Sequence, residues 1–182
     1  MLRPVSAPRV LVIGYGNTLR GDDAVGPILA ERLREELRAE GILVLTCHQL
    51  TPELASDVAA CECVIFIDAS REVPAGEIEC RPLTPLPRGA ASLVHTLSPE
   101  QLLALAQLVY GGVPQATLVS VGAIRFDFGD AALSPPVAAA IEPALERIRE
   151  LIRLDPRRAA GVSPPVSAHE LRAPRSPEEP AG

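Results

Sequence analysis

The sequence contains no tryptophan and no lysine, one methionine, and only 3% aromatic residues in 182. A core built without aromatics has to be aliphatic, and a base-stacking platform for nucleic acid would lack its usual side chains. Without lysine there is no Walker phosphate loop, and no G-x-S-x-G elbow occurs, so both chemistries recede. All 17 basic residues are arginine against 23 acids, a net charge of -6, and they form no basic cluster. Counterion release from a phosphate backbone therefore offers no binding energy, and no nucleic-acid partner is expected. Long apolar runs are also missing. Val10 to Ile13 and Val64 to Ile67 fall far short of the roughly 20 residues a bilayer span needs, so no membrane association is expected. The first residues pass almost directly into a strand-like run, unlike a secretion signal, and a cytoplasmic location is expected. Four cysteines, Cys47, Cys61, Cys63 and Cys80, are too few for a disulfide scaffold, and Cys61-x-Cys63 lacks the second pair of a zinc ribbon. They read as small buried thiols.

What is present fits a globular chain, with 47% hydrophobic and 22% charged residues. The length suits one domain, expected over residues 1–154, with spare length beyond it. Val10 to Tyr15 is β-branched and continuously apolar, as a strand buried on both faces should be. From Ala24 to Ala39, Val25, Leu29, Leu33 and Leu37 make one oily stripe against charged residues, predicting an amphipathic helix. Asp22 or Asp23 is expected to cap it and Gly41 to end it. Ile42 to Thr46 reads as a second strand, Pro52 to Ala60 as a short helix, and Val64 to Ile67 as a third strand ending at Asp68. Pro74 and Gly76 signal a turn, and Glu77 to Arg81 reads as an edge strand stopped by Pro82. A helix is expected from Ser98 to Tyr110, a strand from Ala116 to Ile124, and a last helix from Ser134 to Leu154, kinked at Pro143. The proline-rich stretch 155–182 has no hydrophobic period and is expected to be a flexible tail. The rhythm predicts a three-layer α/β fold: a central, twisted, mostly parallel sheet of about five strands with helices on both faces.

In an open parallel sheet, ligands bind outside the carboxyl ends of the strands. The loop after the first strand carries Asn17, Asp22 and Asp23, the second strand ends near His48, the third ends in Asp68, and His95 leads into the Pro99 helix. Asp23, Asp68 and His95 would then supply two carboxylate oxygens and one imidazole nitrogen at one rim. Such a set suits a borderline divalent ion such as zinc or nickel, with coordination positions left open. Singly, each has a plainer reading: a helix-opening Asp is often an N-cap, a strand-ending Asp a turn former, a loop His a solvated side chain. Asp68 stands out because its carboxylate follows four apolar strand residues, where an unpartnered charge is costly. Gly14-Tyr15-Gly16 begins like a dinucleotide fingerprint, but Leu19 holds the place of the third glycine, and two acids would repel a pyrophosphate.

The segments GYGNTLRGDDAVGPILAERL at 14–33, VIFIDAS at 64–70 with PAGEI following, HTLSPEQLL at 95–103 and LSPPVAAAI at 133–141 resemble the hydrogenase maturation proteases. The resemblance spans roughly residues 9–154 and departs at Ala24, where the family usually has glycine. It implies an endopeptidase that trims the C-terminal extension of a nickel-iron hydrogenase large-subunit precursor. It also implies a metal-recognition site at Asp23, Asp68 and His95, and nickel carried in by the substrate, with no organic cofactor. Under that reading the three side chains dock on the substrate's nickel. The ion or a carboxylate-held water then performs the cleavage, with Asp23 or Asp68 as general base. Asn17 and His48 are candidates for contacting substrate, though a turn-forming Asn and a solvated His explain them as well. Two alternatives stand beside this: a non-cutting, nickel-sensing chaperone of the same subunit, and a flavin or nucleotide module of doubly wound type.

Overall fold

A computed structural model describes residues 9–37, 41–87, 97–129 and 132–153. Among these residues a five-stranded sheet has the order β2-β1-β3-β5-β4. The strands are β1 (Val10–Tyr15), β2 (Ile42–Cys47), β3 (Cys63–Ser70), β4 (Ile78–Leu83) and β5 (Gln115–Gly122). The helices are α1 (Val25–Glu36), α2 (Ala55–Ala60), α3 (Pro99–Tyr110) and α4 (Pro135–Arg153). All pairings are parallel except β4 with β5. The sheet is therefore mostly parallel, with β4 at the expected edge.

Strand side chains alternate between faces, and the alternation divides the core in two. Val10 and Val12 of β1, Ile65 and Ile67 of β3, and Val119 and Val121 of β5 pack with α1 and α4, through Leu29, Leu33, Val137, Leu145 and Ile148. Leu11, Ile13, Val64 and Phe66 turn to the other face, against Val58 of α2 and Leu102, Leu103 and Ala106 of α3. The expected three layers are thus present. Each such side chain buried in full contributes roughly 1.5–3 kcal/mol, so both halves are needed to hold the sheet.

Several local expectations are corrected. Residues Gly21–Ala24 form a 3-10 turn, and α1 begins only at Val25 with Ala24 as N-cap and no side-chain cap, so neither Asp22 nor Asp23 caps it. The helix ends at Glu36, short of Gly41, which instead takes a left-handed φ of 89° just before β2. Pro52–Leu54 is a 3-10 turn preceding α2. Strand β4 runs through Pro82 to Leu83, because an edge strand leaves alternate N–H groups unpaired and a proline can occupy such a place. Strand β5 stops at Gly122, two residues before Ile124. As expected, helix α4 runs through Pro143 rather than ending there. Helix α3 carries a full capping box, Ser98 with Gln101, and Gly111 at its left-handed end. The cysteines form no disulfide, and Cys61 alone is buried while the other three are half-buried. Leu154 and the tail expected at 155–182 lie outside the described residues. No helix among the described residues is long and apolar enough to cross a membrane.

Candidate functional site

Strand order reverses at β1, so the crevice between the carboxyl ends of β1 and β3 is the switch point where doubly wound sheets bind ligands. Leaving β1, the chain turns at Gly16, whose φ is 140°. A Cβ there would stand 2.0 Å from the Asp23 carbonyl oxygen, so only glycine lets the loop close on the acid pair. Close approach continues at Gly26, where a Cβ would meet the Tyr15 and Ile67 carbonyl oxygens at 2.4 and 2.6 Å. The glycines that resemble a nucleotide fingerprint therefore serve to bring α1 against the strand ends.

The loop positions Asp23. The Asn17 amide donates to Asp23 Oδ2 at 2.9 Å, while Asn17 Oδ1 accepts the Leu19 amide at 2.9 Å. Asn17 is buried, at 8% exposure, and its side chain makes the turn that aims its own N–H at the acid. Asp22, its neighbour, is fully buried. It accepts the amides of Ile124 (3.0 Å), Arg125 (2.9 Å) and Ser134 (2.6 Å) and the Ser134 hydroxyl (2.9 Å). Burial opposes its charge, but the amides of Ser134, Ile124 and Arg125 and the Ser134 hydroxyl together hold the carboxyl below the usual range. Asp22 is a clamp between this loop, the end of β5 and the start of α4.

Asp68 comes from β3. The β1–β3 register, with Gly14 opposite Ile67, sets the next pair, Tyr15 and Asp68, side by side. Alternation places both on the α2 and α3 face, Tyr15 following Leu11 and Ile13, and Asp68 following Val64 and Phe66. Asp68 Oδ1 accepts the Ala69 amide at 2.8 Å. Burial pushes the Asp68 carboxyl up to about 6; the nearby Tyr15 hydroxyl and the Ala69 amide oppose that rise, and the charge of Asp23 adds to it. Burial, then the charge of the nearby Asp68, drive the Tyr15 hydroxyl far above its ordinary value.

Asp23 and Asp68 are therefore brought close enough to feel one another's charge. Tyr15 joins them, a residue that motif reading passed over; its signal was its place at the end of a buried strand, one of only two tyrosines. His95 lies outside the described residues. Leu97, two residues later in the chain, donates its amide to the Leu50 carbonyl beyond the end of β2 at 3.2 Å. His48 is exposed and lines an open pocket of about 190 Å³ with Gly16, Thr18, Pro27, Thr46 and Cys47. The pocket adjoins the acid-bearing loop through Gly16, while Asp23 and Asp68 lie outside its lining. Among the described residues no group of three or more His, Cys, Asp and Glu side chains is placed to hold a metal ion.

A doubly wound sheet whose switch point carries two neighbouring carboxylates defines an α/β protein with a candidate site at that crevice. Comparison with known proteins makes this specific. The chain is 32% identical over 152 residues to the hydrogenase 2 maturation protease of Escherichia coli (strain K12), covering 80% of this chain and 91% of that one. Its structure matches the hydrogenase maturating endopeptidase HybD from E. coli with a TM-score of 0.65 and 27% identity, over 80% of this chain and 92% of that one. It matches the [NiFe] hydrogenase maturation protease HycI from Thermococcus kodakarensis with a TM-score of 0.64 and 26% identity, over 80% and 92%. No protein-family model matches the chain. The chain belongs to the hydrogenase maturation protease family.

Proposed function

We propose that this protein is an endopeptidase that removes the C-terminal extension of a [NiFe]-hydrogenase large-subunit precursor, with the nickel borne by that substrate as its recognition element. Asp23, Asp68 and His95 meet open coordination positions on the ion, which places the scissile amide beside the acid pair. The observation that carries this reading is the convergence of Asp23 and Asp68 at the β1–β3 crevice, two acids 45 positions apart in the sequence that share one electrostatic environment. Of the two, Asp68 has the basicity of a general base working near neutral pH, and it takes the proton of the attacking water. Asp23, anchored by the Asn17 amide, is the fixed docking group. The nickel, part of the substrate, polarises the carbonyl or the water.

A polypeptide substrate accords with Leu19, Ile124 and Phe128, which stand 55%, 62% and 74% exposed. They sit on loops joined by the Gly129 amide to the Leu19 carbonyl and by Asp22. Exposed apolar side chains grouped beside a site mark surfaces that meet other proteins. A nucleotide reading has less support, because the loop glycines are filled by Asp23 and α1 backbone and the acid pair faces the place a phosphate would take. The test is incubation of purified protein with nickel-loaded and nickel-free precursor, followed by intact-mass measurement. Shortening of the loaded form alone is expected. Binding without shortening would leave the protein a nickel-sensing chaperone.

A further inference from the structure

Two guanidinium groups beside the crevice have no part in the reading above. The loops that leave β1, β3 and β5 at their carboxyl ends are tied into one surface: the Gly129 amide donates to the Leu19 carbonyl at 3.0 Å, and the Ala123 amide to the Ser70 carbonyl at 2.8 Å. Phe126 joins all three. Its carbonyl accepts Arg20 Nε, from the β1 loop, at 3.1 Å, and its ring carries Arg71, which follows β3, with Cζ 3.9 Å from the centroid. Two cations far apart in the sequence are thereby set against one residue. The acid pair is close at hand, since the Arg20 carbonyl accepts the Asp23 amide at 3.1 Å.

Elsewhere on the described surface Arg32, Arg34, Arg81, Arg147 and Arg149 each pair with a carboxylate. Among the described residues Arg20 and Arg71 pair with none, although Glu72 and Asp127 stand exposed on the same loops. Both keep donors to spare. Arg20 spends its Nε on Phe126 and retains two Nη groups; Arg71 is steadied by the ring it stacks on, so little freedom is lost when its planar fork meets a carboxylate. The neighbours decide which anion fits. Leu19, Ile124 and Phe128, exposed on these loops, offer apolar area that a free phosphate cannot cover, and Asp23 repels a polyanion. A polypeptide lays apolar side chains on that area and carries an acidic side chain to the arginines.

We infer that Arg20 and Arg71 dock an aspartate or glutamate side chain of the precursor, on the same polypeptide that bears the metal. This deepens the proposed function and rests on it. The site is then polar across its width: Asp23 and Asp68 face the cation, the arginines face the anion, and the substrate settles in one direction only.

The test measures the dissociation constant of nickel-loaded precursor at about 0.05 M and about 0.5 M salt, with thermal midpoints alongside. Arg71→Gln and Arg20→Gln should each weaken binding about 10-fold at the lower salt, a loss that shrinks at the higher. Arg71→Lys keeps the charge without the fork and should fall between. Arg147→Gln removes the same charge from the α4 pair with Glu150 and should bind as wild type. Arg71→Glu should bind most weakly, and exchange of one precursor acid for arginine should restore it. Wild-type affinity in Arg71→Gln and Arg20→Gln overturns the inference, as does a loss that Arg147→Gln shares or that salt leaves unchanged. Failure of every precursor exchange to rescue Arg71→Glu overturns it too. Should Arg20→Gln lower the midpoint through its lost bond to Phe126, Arg71→Gln decides. If wild type binds the loaded precursor without cutting it, the same affinities decide the inference and only the cleavage reading has failed. A wild-type chain that does not bind the precursor overturns both.

Discussion

Asp22 and Asp68 are two carboxylates at the same end of one sheet, the first fully buried and the second half-buried, and the protein treats them in opposite ways. Asp22 receives four hydrogen bonds from three residues and is held below its usual range. Asp68 receives one, from the Ala69 amide, has Asp23 nearby, and rises to about 6. Burial raises both, and at Asp22 the hydrogen bonds outweigh it while at Asp68 they do not. A satisfied carboxylate becomes structure, whereas an under-satisfied one retains appetite for a proton or a cation and becomes chemistry.

The comparison breaks most visibly through activity. Asp68→Ala and Asp23→Ala should each lower precursor cleavage roughly 10²- to 10⁴-fold without lowering the thermal midpoint, read by intact mass and calorimetry. Retention of cleavage in both would remove the acid pair from the mechanism. Asp22→Ala should act the other way round, costing about 3–5 kcal/mol in denaturant unfolding, because its donors lose their acceptor inside the protein. An Asp22→Ala chain as stable as wild type would mean that the clamp does not hold the loop.

Titration sharpens the contrast, since the two signs differ. The folded-state value of Asp68 lies above its unfolded one, so its contribution to stability is fullest below about pH 4, falls as pH rises through about 6, and stays level beyond. Asp22 lies below its unfolded value, so its contribution is present above that value and is lost as acid protonates the folded form. Asp68→Asn, a mimic of the protonated state, should thus be more stable than wild type at pH 7.5 by about 2 kcal/mol, an advantage that vanishes near pH 4. A gain independent of pH would refute the charge argument. The same group predicts that kcat/KM, which reports the free enzyme, falls as pH drops through about 6. The smallest effect serves as a baseline: Ser98→Ala breaks the α3 capping box, which shares no hydrogen-bond partner with Asp22, and should cost about 1 kcal/mol, additive with Asp22→Ala.

Much of the fold was legible because it is written in local periods. The continuous apolar runs Val10 to Ile13 and Val64 to Ile67, the four-residue stripe of α1, and the proline-flanked β4 all express themselves within a few neighbours. Asp68 was legible for a similar reason, as a charge ending an apolar run. What escaped depends on contacts between distant segments. Asp22 looked like a helix cap because its true partners, Ile124, Arg125 and Ser134, lie in a stretch with no period of its own. Tyr15 drew no attention because its neighbour is set by strand register, which a G-x-G pattern does not encode. Asn17 was read as either turn former or substrate contact; the turn is there, and through it the backbone grips Asp23.

The donors that set Asp22 in place lie 102, 103 and 112 residues further along the chain. At ribosomal speeds of about 5–20 residues per second, that distance amounts to roughly 5–20 s of synthesis. Throughout that interval the emerging polypeptide has made its acids but not the segment that fastens them. The clamp on the loop that carries Asp23 can therefore close only once the start of the last helix has been translated.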